Sequence, residues 1–146
     1  MFSESEYAVI WEVYATLLTG LASHELADQS FVQTERVVRE TLDVLLTEAA
    51  PKWQGERRDK ALHYLLDETF GLGPLEALLA SSRVSEVRVE SNKRVLARID
   101  GRFQQTAVRF RDDGHRKRIQ KRALASKGVG GADVWVSGQG FSIRKG

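Results

Sequence analysis

The chain of 146 residues lacks cysteine altogether and contains two prolines, one methionine and three histidines. Without cysteine, disulfides and thiolate metal sites are excluded. His24, His63 and His115 are scattered and form no His-x-x-x-His pattern, so a structural metal is not expected. With 42% hydrophobic residues, a chain of this length is expected to bury its own core without covalent or metal cross-links. No cofactor is expected on this chain.

A long hydrophobic run is also missing. The most apolar stretch, residues 7–21, contains Glu12 and is too short and too polar to span a bilayer. No basic leader precedes it, as a signal peptide would require. The sequence therefore predicts a cytoplasmic protein without a transmembrane segment.

The motifs of common catalytic sites are absent as well. The sequence has no Gly-x-Ser-x-Gly elbow, and no Gly-x-x-x-x-Gly-Lys-Ser/Thr loop that would cradle phosphates. Gly128-Val-Gly-Gly131 lacks that Lys-Ser/Thr pair and is interpreted as a connector. The paired carboxylates Asp67-Glu68 and Asp112-Asp113 are interpreted as helix-surface and capping residues. We therefore predict no catalytic residue and no enzymatic activity in this chain.

The formal charge of +2 is distributed unevenly. Residues 1–92 carry 8 Lys and Arg against 16 Asp and Glu, whereas residues 93–146 carry 14 against 4. This asymmetry predicts that the second part faces an anionic partner. The densest basic segment is either a ligand-binding helix or a solvated helix face; its residues are Arg116, Lys117, Arg118, Lys121 and Arg122. Nucleic acid is not the expected ligand, because interleaved aromatics and helix-turn-helix spacing are lacking.

The first segment of regular structure is expected to be an amphipathic helix. Ser3-Glu-Ser-Glu6 has the spacing of a capping box, which marks a helix start. Apolar residues at helical spacing follow: Tyr7, Ile10, Trp11, Tyr14, Leu17, Leu18 and Leu21. The helix either covers the protein's own core or docks on a partner.

Two further amphipathic helices are predicted over residues 31–50 and 56–70. The apolar face of the former is expected to hold Val38, Leu42, Leu45 and Ala49, and that of the latter Ala61, Leu62, Leu65, Leu66 and Phe70. Pro51 closes the second helix, because the residue before proline avoids helical angles. Three such helices in sequence predict a bundle.

Glycine and proline then interrupt the helical pattern. Gly71 and Gly73 can adopt positive φ and end the third helix, and Pro74 suits the first turn of a short helix that runs through Ala80. These residues are interpreted as helix punctuation without chemistry.

From residue 84 the apolar period changes from helical to two. Strands are predicted over residues 84–90, 94–99 and 103–110, with Asp100-Gly101 as a hairpin turn, and together they form an antiparallel sheet of three strands. Asp112-Asp113 is expected to cap a helix with a thin apolar face, followed by two short strands over residues 134–136 and 141–145. The fold class is therefore α+β, with a helical bundle over residues 1–80 and a small sheet with a packed helix over residues 81–146.

One segment carries a family resemblance. The run from Asp67 to Ala80 contains Gly71-Leu-Gly-Pro-Leu-Glu76, and the strand from Val84 follows after a short polar turn. Together with Arg109-Phe-Arg-Asp-Asp113 and Phe141-Ser-Ile-Arg-Lys145, this arrangement resembles the N-terminal domain of type II and type IV secretion ATPases, especially those of Tad/Flp pilus assembly. The motor domain, which holds the phosphate loop, has no counterpart in this sequence.

The resemblance implies a PAS-like second half and a non-catalytic regulatory or adaptor role. In the family this domain packs on the motor domain within a hexameric ring and can bring arginines near the nucleotide. It implies that Arg144, with Arg109 or Arg111, contacts nucleotide phosphate or a neighbouring domain. Partners would be the ATPase motor domain or an inner-membrane platform protein, and the location would be cytoplasmic or peripheral at the inner membrane.

The sequence departs from the family pattern at three places. Basic residues occupy the helix after Asp113, the stretch between Lys127 and Phe141 is short, and Glu90-Ser-Asn92 replaces an Asn-Gly-Pro turn. The adaptor hypothesis therefore includes a diverged relative of this domain that exists as a separate protein. The alternatives are a free-standing PAS-like module with a closed apolar cavity in its sheet, and an ATPase only as part of a longer chain.

Overall fold

The computed structural model describes residues 2–22, 31–126 and 132–145. Its helices are α1 (Glu4–Ala22), α2 (Phe31–Ala49), α3 (Glu56–Phe70), α4 (Glu76–Ala80) and α5 (Asp113–Ala125). Its strands are β1 (Val84–Ser91), β2 (Arg94–Ile99), β3 (Arg102–Gln105), β4 (Asp133–Ser137) and β5 (Gly140–Arg144). The chain divides into unit 1, residues 1–66, and unit 2, residues 67–146, and the boundary falls inside α3.

The start of α1 has the capping box that the sequence predicts. The backbone N–H of Ser3 donates to the Glu6 carboxylate at 2.8 Å, and the backbone N–H of Glu6 donates to the Ser3 hydroxyl at 3.2 Å. Phe2 and Tyr7, which flank this box, pack edge to face with ring centroids 5.4 Å apart. This is the hydrophobic staple that fixes how a chain enters a helix.

Unit 1 has an apolar core formed by its helices. Its buried side chains are Ile10, Trp11, Val13, Tyr14, Leu17, Val38, Leu42, Leu46, Ala50, Ala61 and Leu65. The prediction for α1 was wrong at Leu18, which is 43% exposed. On α2 the row of buried residues continues from Leu42 to Leu46. Leu45 and Ala49, which the sequence predicts for this face, are half-buried and exposed, respectively. The sequence pattern had placed the face of α2 one residue too early.

Unit 2 is built on one antiparallel sheet of five strands in the order β3-β2-β1-β5-β4. The predicted three-stranded meander forms one side of it, and the two last strands join the same sheet because β5 pairs with β1. Helix α5 contributes Ile119 and Ala123 to the core of this unit, together with Val87, Phe141 and Ile143 from the central strands. The packed helix therefore covers one face of the sheet.

The third strand is shorter than the sequence indicates. The strand ends at Gln105, whereas the pattern predicts one through Phe110. Thr106 N–H still donates to the Val95 carbonyl of β2 at 2.9 Å, but Phe110 N–H donates to the Asn92 carbonyl at 2.7 Å, outside β2. The segment therefore leaves the strand ladder after Thr106.

The segment that links α3 to the sheet is a short 3₁₀ turn over Gly73–Leu75, followed by α4. Gly73 has φ of +55°, which suits glycine, and Pro74 lies in the first turn as expected. The Glu76 carboxylate accepts a hydrogen bond from the Leu72 N–H at 2.8 Å.

The α+β class, with helices followed by a small antiparallel sheet, is confirmed. The cap of α5 is also as predicted, since the Asp112 carboxylate accepts from the His115 N–H at 2.8 Å. The predicted connector, residues 128–131, lies outside the described residues.

Candidate interaction surface

The strand register places two rows of side chains on the face of the sheet opposite the core. Directly opposed residues on paired strands lie on the same face. One row consists of Phe103, Arg98, Glu86, Arg144 and Asp133, in the order of the strands. The neighbouring row consists of Gln105, Leu96, Arg88, Ser142 and Trp135. We call these two rows the outer face.

Arginines stack on aromatic rings at both ends of the outer face. The guanidinium carbon of Arg88 lies 4.1 Å from the ring centroid of Phe103, and that of Arg98 lies 6.0 Å from it. On the other side, the guanidinium carbon of Arg144 lies 5.1 Å from the Trp135 ring. Such cation–π contacts contribute about 0.5–1 kcal/mol each at exposed sites. We call these five side chains the arginine–aromatic strip.

Glu86 joins the two stacks. It is 5% exposed, and a buried carboxylate needs positive or hydrogen-bonding partners. Arg144 Nε lies 3.4 Å from one of its oxygens, and Arg88 Nη2 lies 3.7 Å from the other. Both distances are long for a charged hydrogen bond, so neither guanidinium is saturated by Glu86.

Ser142 lies between Arg88 and Trp135 in the second row. It is 1% exposed, and its hydroxyl has no hydrogen-bond partner in the part of the chain that the structure describes. A buried polar group without a partner costs about 1–3 kcal/mol. The outer face thus contains a polar group whose bonding is incomplete.

A second polar cluster, the Glu68 network, lies in unit 2 at the end of α3. Glu68 is 1% exposed, and its carboxylate contacts His115 Nε2 at 2.8 Å and Arg118 Nη2 at 2.8 Å. Arg122 completes the network, since its Nη1 donates to the backbone carbonyls of Glu68 and Gly71. The helix-surface interpretation of Glu68 was therefore wrong, because α5 supplies a basic set that neutralises this carboxylate.

The hydrogen bonds of His115 assign its tautomer. Nδ1 accepts from the backbone N–H of Arg111 at 3.0 Å, so the ring proton belongs on Nε2, which donates to Glu68. In hydrolases a histidine acts as the base and a carboxylate orients it, and His115 with Glu68 resembles such a pair. A hydrolase site also needs a nucleophile beside the histidine. Both side chains are buried, and their bonds hold the α3 end, the Gly71–Gly73 turn and α5 together.

The basic helix is only partly a solvated face. Arg116 is 7% exposed, and Arg118 and Arg122 belong to the Glu68 network. The solvated-face interpretation was wrong for these three arginines, because Arg116 is buried and the other two bond to groups at the end of α3 and in the turn after it. Lys117 and Lys121 are exposed.

The structure does not bring the three predicted site arginines together. Arg144 is at the end of β5 in the arginine–aromatic strip, with its side chain 59% exposed. Arg109 and Arg111 are exposed and lie in the segment before α5, which is tied to Asn92 beyond the far end of β1. The strand between Glu86 and Asn92 rises about 3.3 Å per residue, which puts the two groups about 20 Å apart.

The residues that surround Arg144 were not predicted from the sequence. Phe103, Trp135 and Glu86 are scattered along the chain, and only the strand register makes them neighbours. One signal was present: Glu86 and Arg88 alternate with valines, which places them on one face of β1. Their burial and their partners could not be read from that alternation.

A closed cavity in the sheet was the expectation for a free-standing binding module. One depression in the described residues is formed by α2 in unit 1; it is open and has a volume of about 290 Å³. Val37, Val44 and Leu45 supply its apolar lining, with Glu40 and Thr41 beside them.

Across the described ranges, no helix combines the length and the apolar character needed to cross a membrane. Nor do three or more His, Cys, Asp or Glu residues come together there as ligands for a metal ion. No family model matches the chain, and no curated protein matches it with significance.

Proposed function

We propose that this chain is a non-catalytic adaptor domain of the kind found at the N-terminus of secretion and pilus-assembly ATPases. Its work is protein–protein contact in the secretion machine, with the motor domain or an inner-membrane platform protein as partner. The cytoplasm, or the cytoplasmic side of the inner membrane, is the proposed location. Nucleotide would be bound by the motor domain, and a ring of copies would follow from the motor's assembly.

The observation that carries the proposal is the arginine–aromatic strip. It includes Arg144, which lies in the segment that precedes the motor domain in the family that the sequence resembles. Arg144 is stacked on Trp135 and held by Glu86, yet its side chain is 59% exposed. Arginine and tryptophan are enriched among the residues that dominate binding energy at protein interfaces.

The Glu68 network supports a structural role for the motif that carries the resemblance. Gly71 and Gly73 form the turn after α3, and Arg122 binds the carbonyls of Glu68 and Gly71. These contacts use the polar groups of the motif within unit 2. The motif therefore provides a fixed scaffold for the sheet, and the exposed strip is left for a partner.

The test is to mix the chain with the nucleotide-binding half of a secretion or pilus-assembly ATPase from the same organism. We expect the two to co-elute and the ATPase rate to change. Arg144→Ala should weaken the complex about tenfold, the loss typical of one interface residue worth about 1.4 kcal/mol.

Arg94→Ala is the matched control, because Arg94 lies on strand β2 of the same sheet, is also exposed, and pairs with Glu90 at 2.6 Å outside the strip. It should leave affinity and rate within about twofold. Failure to co-elute, with an unchanged ATPase rate, would overturn the proposed function.

A further inference from the structure

We infer that the outer face binds a protein segment with an acidic stripe, whose carboxylates bond to Arg88 and Arg144. The inference rests on the proposed function in that the same face would receive the partner. It adds the chemistry of that partner, and its test requires no motor domain.

The two arginines are held ready for a carboxylate. Their guanidinium carbons lie 4.1 Å and 5.1 Å from the ring centroids of Phe103 and Trp135, and these contacts restrict the two side chains. Arg88 is 38% exposed and Arg144 59% exposed, and within the described ranges Glu86 is the acidic group that each of them contacts. Since arginine has five N–H donors in a planar fork, each retains donors for a second carboxylate.

Glu86 indicates the ligand chemistry. Its carboxylate lies between the two guanidinium groups, at 3.4 Å from Arg144 and 3.7 Å from Arg88. A carboxylate from a partner could approach the same pair from the solvent side at the usual distance of about 2.8 Å.

Nucleic acid fits the outer face less well. Single-stranded nucleic acid binds to open aromatic faces, whereas Phe103 and Trp135 are each stacked against an arginine of the same chain. The two rows also balance three arginines against Glu86 and Asp133, so the net charge is small for a polyanion. Mixed aromatic and arginine character is instead typical of protein interfaces.

The dimensions suit one helix. Five strands about 4.8 Å apart give a surface about 19 Å across, and a helix with its side chains is about 10–12 Å wide. A helix with glutamates at every fourth position places them along one side, where they can meet both guanidinium groups.

The test uses a 20-residue alanine-based helical peptide with four glutamates at every fourth position, titrated into the intact chain and followed by calorimetry and amide chemical shifts. The same peptide with glutamines, a 20-residue oligothymidylate and ATP are the comparison ligands. We expect the glutamate peptide to bind, the glutamine peptide to bind at least about tenfold more weakly, and shifts to concentrate on β1, β4 and β5.

Three double variants locate the site. Arg88→Gln with Arg144→Gln should lower the affinity at least about tenfold, and Arg88→Lys with Arg144→Lys should lower it nearly as much because lysine lacks the planar fork. Lys117→Gln with Lys121→Gln removes the same charge from an exposed part of α5 and should change affinity less than about twofold. Amide spectra establish that each variant is folded.

If Lys117→Gln with Lys121→Gln lowered the affinity as much as Arg88→Gln with Arg144→Gln, the inference would be overturned, since binding would then follow net charge. Tighter binding of oligothymidylate or ATP at the strip would also overturn it, in favour of a nucleic-acid or nucleotide site. If a double variant does not fold, the binding site is located from the amide shift changes that the glutamate peptide causes in the wild-type chain. Shift changes confined to α5 would count against the arginine–aromatic strip. A motor that fails to bind while the peptide binds would refute the proposed function alone.

Discussion

The two units of the chain use charge in opposite ways. Unit 1 carries 6 Lys and Arg against 11 Asp and Glu, and unit 2 carries 16 against 9. Yet every buried polar or charged side chain of the described residues belongs to unit 2: Glu68, Glu86, His115, Arg116 and Ser142. The buried side chains of unit 1 are apolar or aromatic.

In unit 1 the ion pairs lie at the surface. Lys60 and Glu56, for example, are 2.9 Å apart and mostly exposed. Arg58 reaches Asp43 and the hydroxyl of Thr47, but Asp43 is itself 55% exposed. Surface pairs of this kind contribute about 0–1 kcal/mol. Unit 1 should therefore tolerate charge changes, whereas unit 2 should depend on individual polar atoms.

The largest effect is expected when the Glu68 network is broken. Glu68→Gln keeps the shape but replaces one acceptor oxygen with an NH₂ group, which then faces either the Arg118 guanidinium or the His115 Nε2–H. The new NH₂ group and its neighbour would both be hydrogen-bond donors, and the positive charge of Arg118 would lose its carboxylate. Breaking a buried charge pair in this way lowers the free energy of unfolding by about 3–5 kcal/mol. Urea unfolding measures the loss, and native-state hydrogen exchange should locate it in α5 and the end of α3, which the network joins.

The matched variant is Glu90→Gln in the same unit, since Glu90 pairs with Arg94 at the surface. It should cost less than about 1 kcal/mol. If the two variants unfold at the same urea concentration, the buried network is not what distinguishes unit 2.

A smaller effect is expected from a pair of glycines with similar backbone angles. Gly73 in unit 2 has φ of +55°, and Gly55 in unit 1 has φ of +64°. A Cβ at Gly73 would lie 2.5 Å from the Glu68 carboxylate, whereas at Gly55 it would meet nothing within 4 Å. Gly73→Ala should therefore cost about 3 kcal/mol and Gly55→Ala about 1 kcal/mol, the cost of positive φ alone.

Thermal or urea unfolding of both glycine variants measures the difference. The backbone strain is nearly the same at the two positions. The additional loss of stability in Gly73→Ala therefore measures the contact with Glu68. Equal losses would mean that Glu68 moves aside without cost, and the rigid scaffold assigned to this turn would then be wrong.

Local features of the fold could be predicted from the sequence. The bounds of α3 and β2 match the periodicity and its punctuation, because Gly71 ends one and Asp100-Gly101 ends the other. The end of β3 could not be predicted, since it depends on the bond from Phe110 N–H to the Asn92 carbonyl outside β2. The pairing of β5 with β1 was equally inaccessible, because these strands are distant in sequence.

The candidate site shows the same limit. The family resemblance predicts Arg144 as a site residue. Its partners Glu86 and Trp135 could not be predicted, because they come from other strands. Glu68 was misread because a charged residue near a helix end is usually exposed, and its partners lie 47 and 50 residues further along the chain. Charge type is visible in a sequence, whereas the long-range contact that buries a charge is not.

The smallest effect is expected at the acidic end of α1, where unit 1 does use one carboxylate locally. The backbone N–H of Ser3, together with its hydroxyl and nearby Arg57, lowers the pKa of Glu6. A lowered pKa in the folded state means that the charge stabilises the fold above the ordinary pKa, and that this contribution is lost as pH falls through the lowered value. Glu6→Gln should therefore be slightly less stable than wild type at pH 7.

The stability difference should shrink as the pH falls, and should disappear once the lowered pKa of Glu6 has been passed. Urea unfolding as the pH is lowered measures it, with Glu4→Gln as the control for a charge in the same helical turn outside the capping box. Glutamine can still accept from the Ser3 N–H, so the variant isolates the charge from the hydrogen bond. A difference that persists at low pH would show that the side chain acts through its shape or its hydrogen bond, and the charges of unit 1 would then be even less important to its stability than the surface pairs indicate.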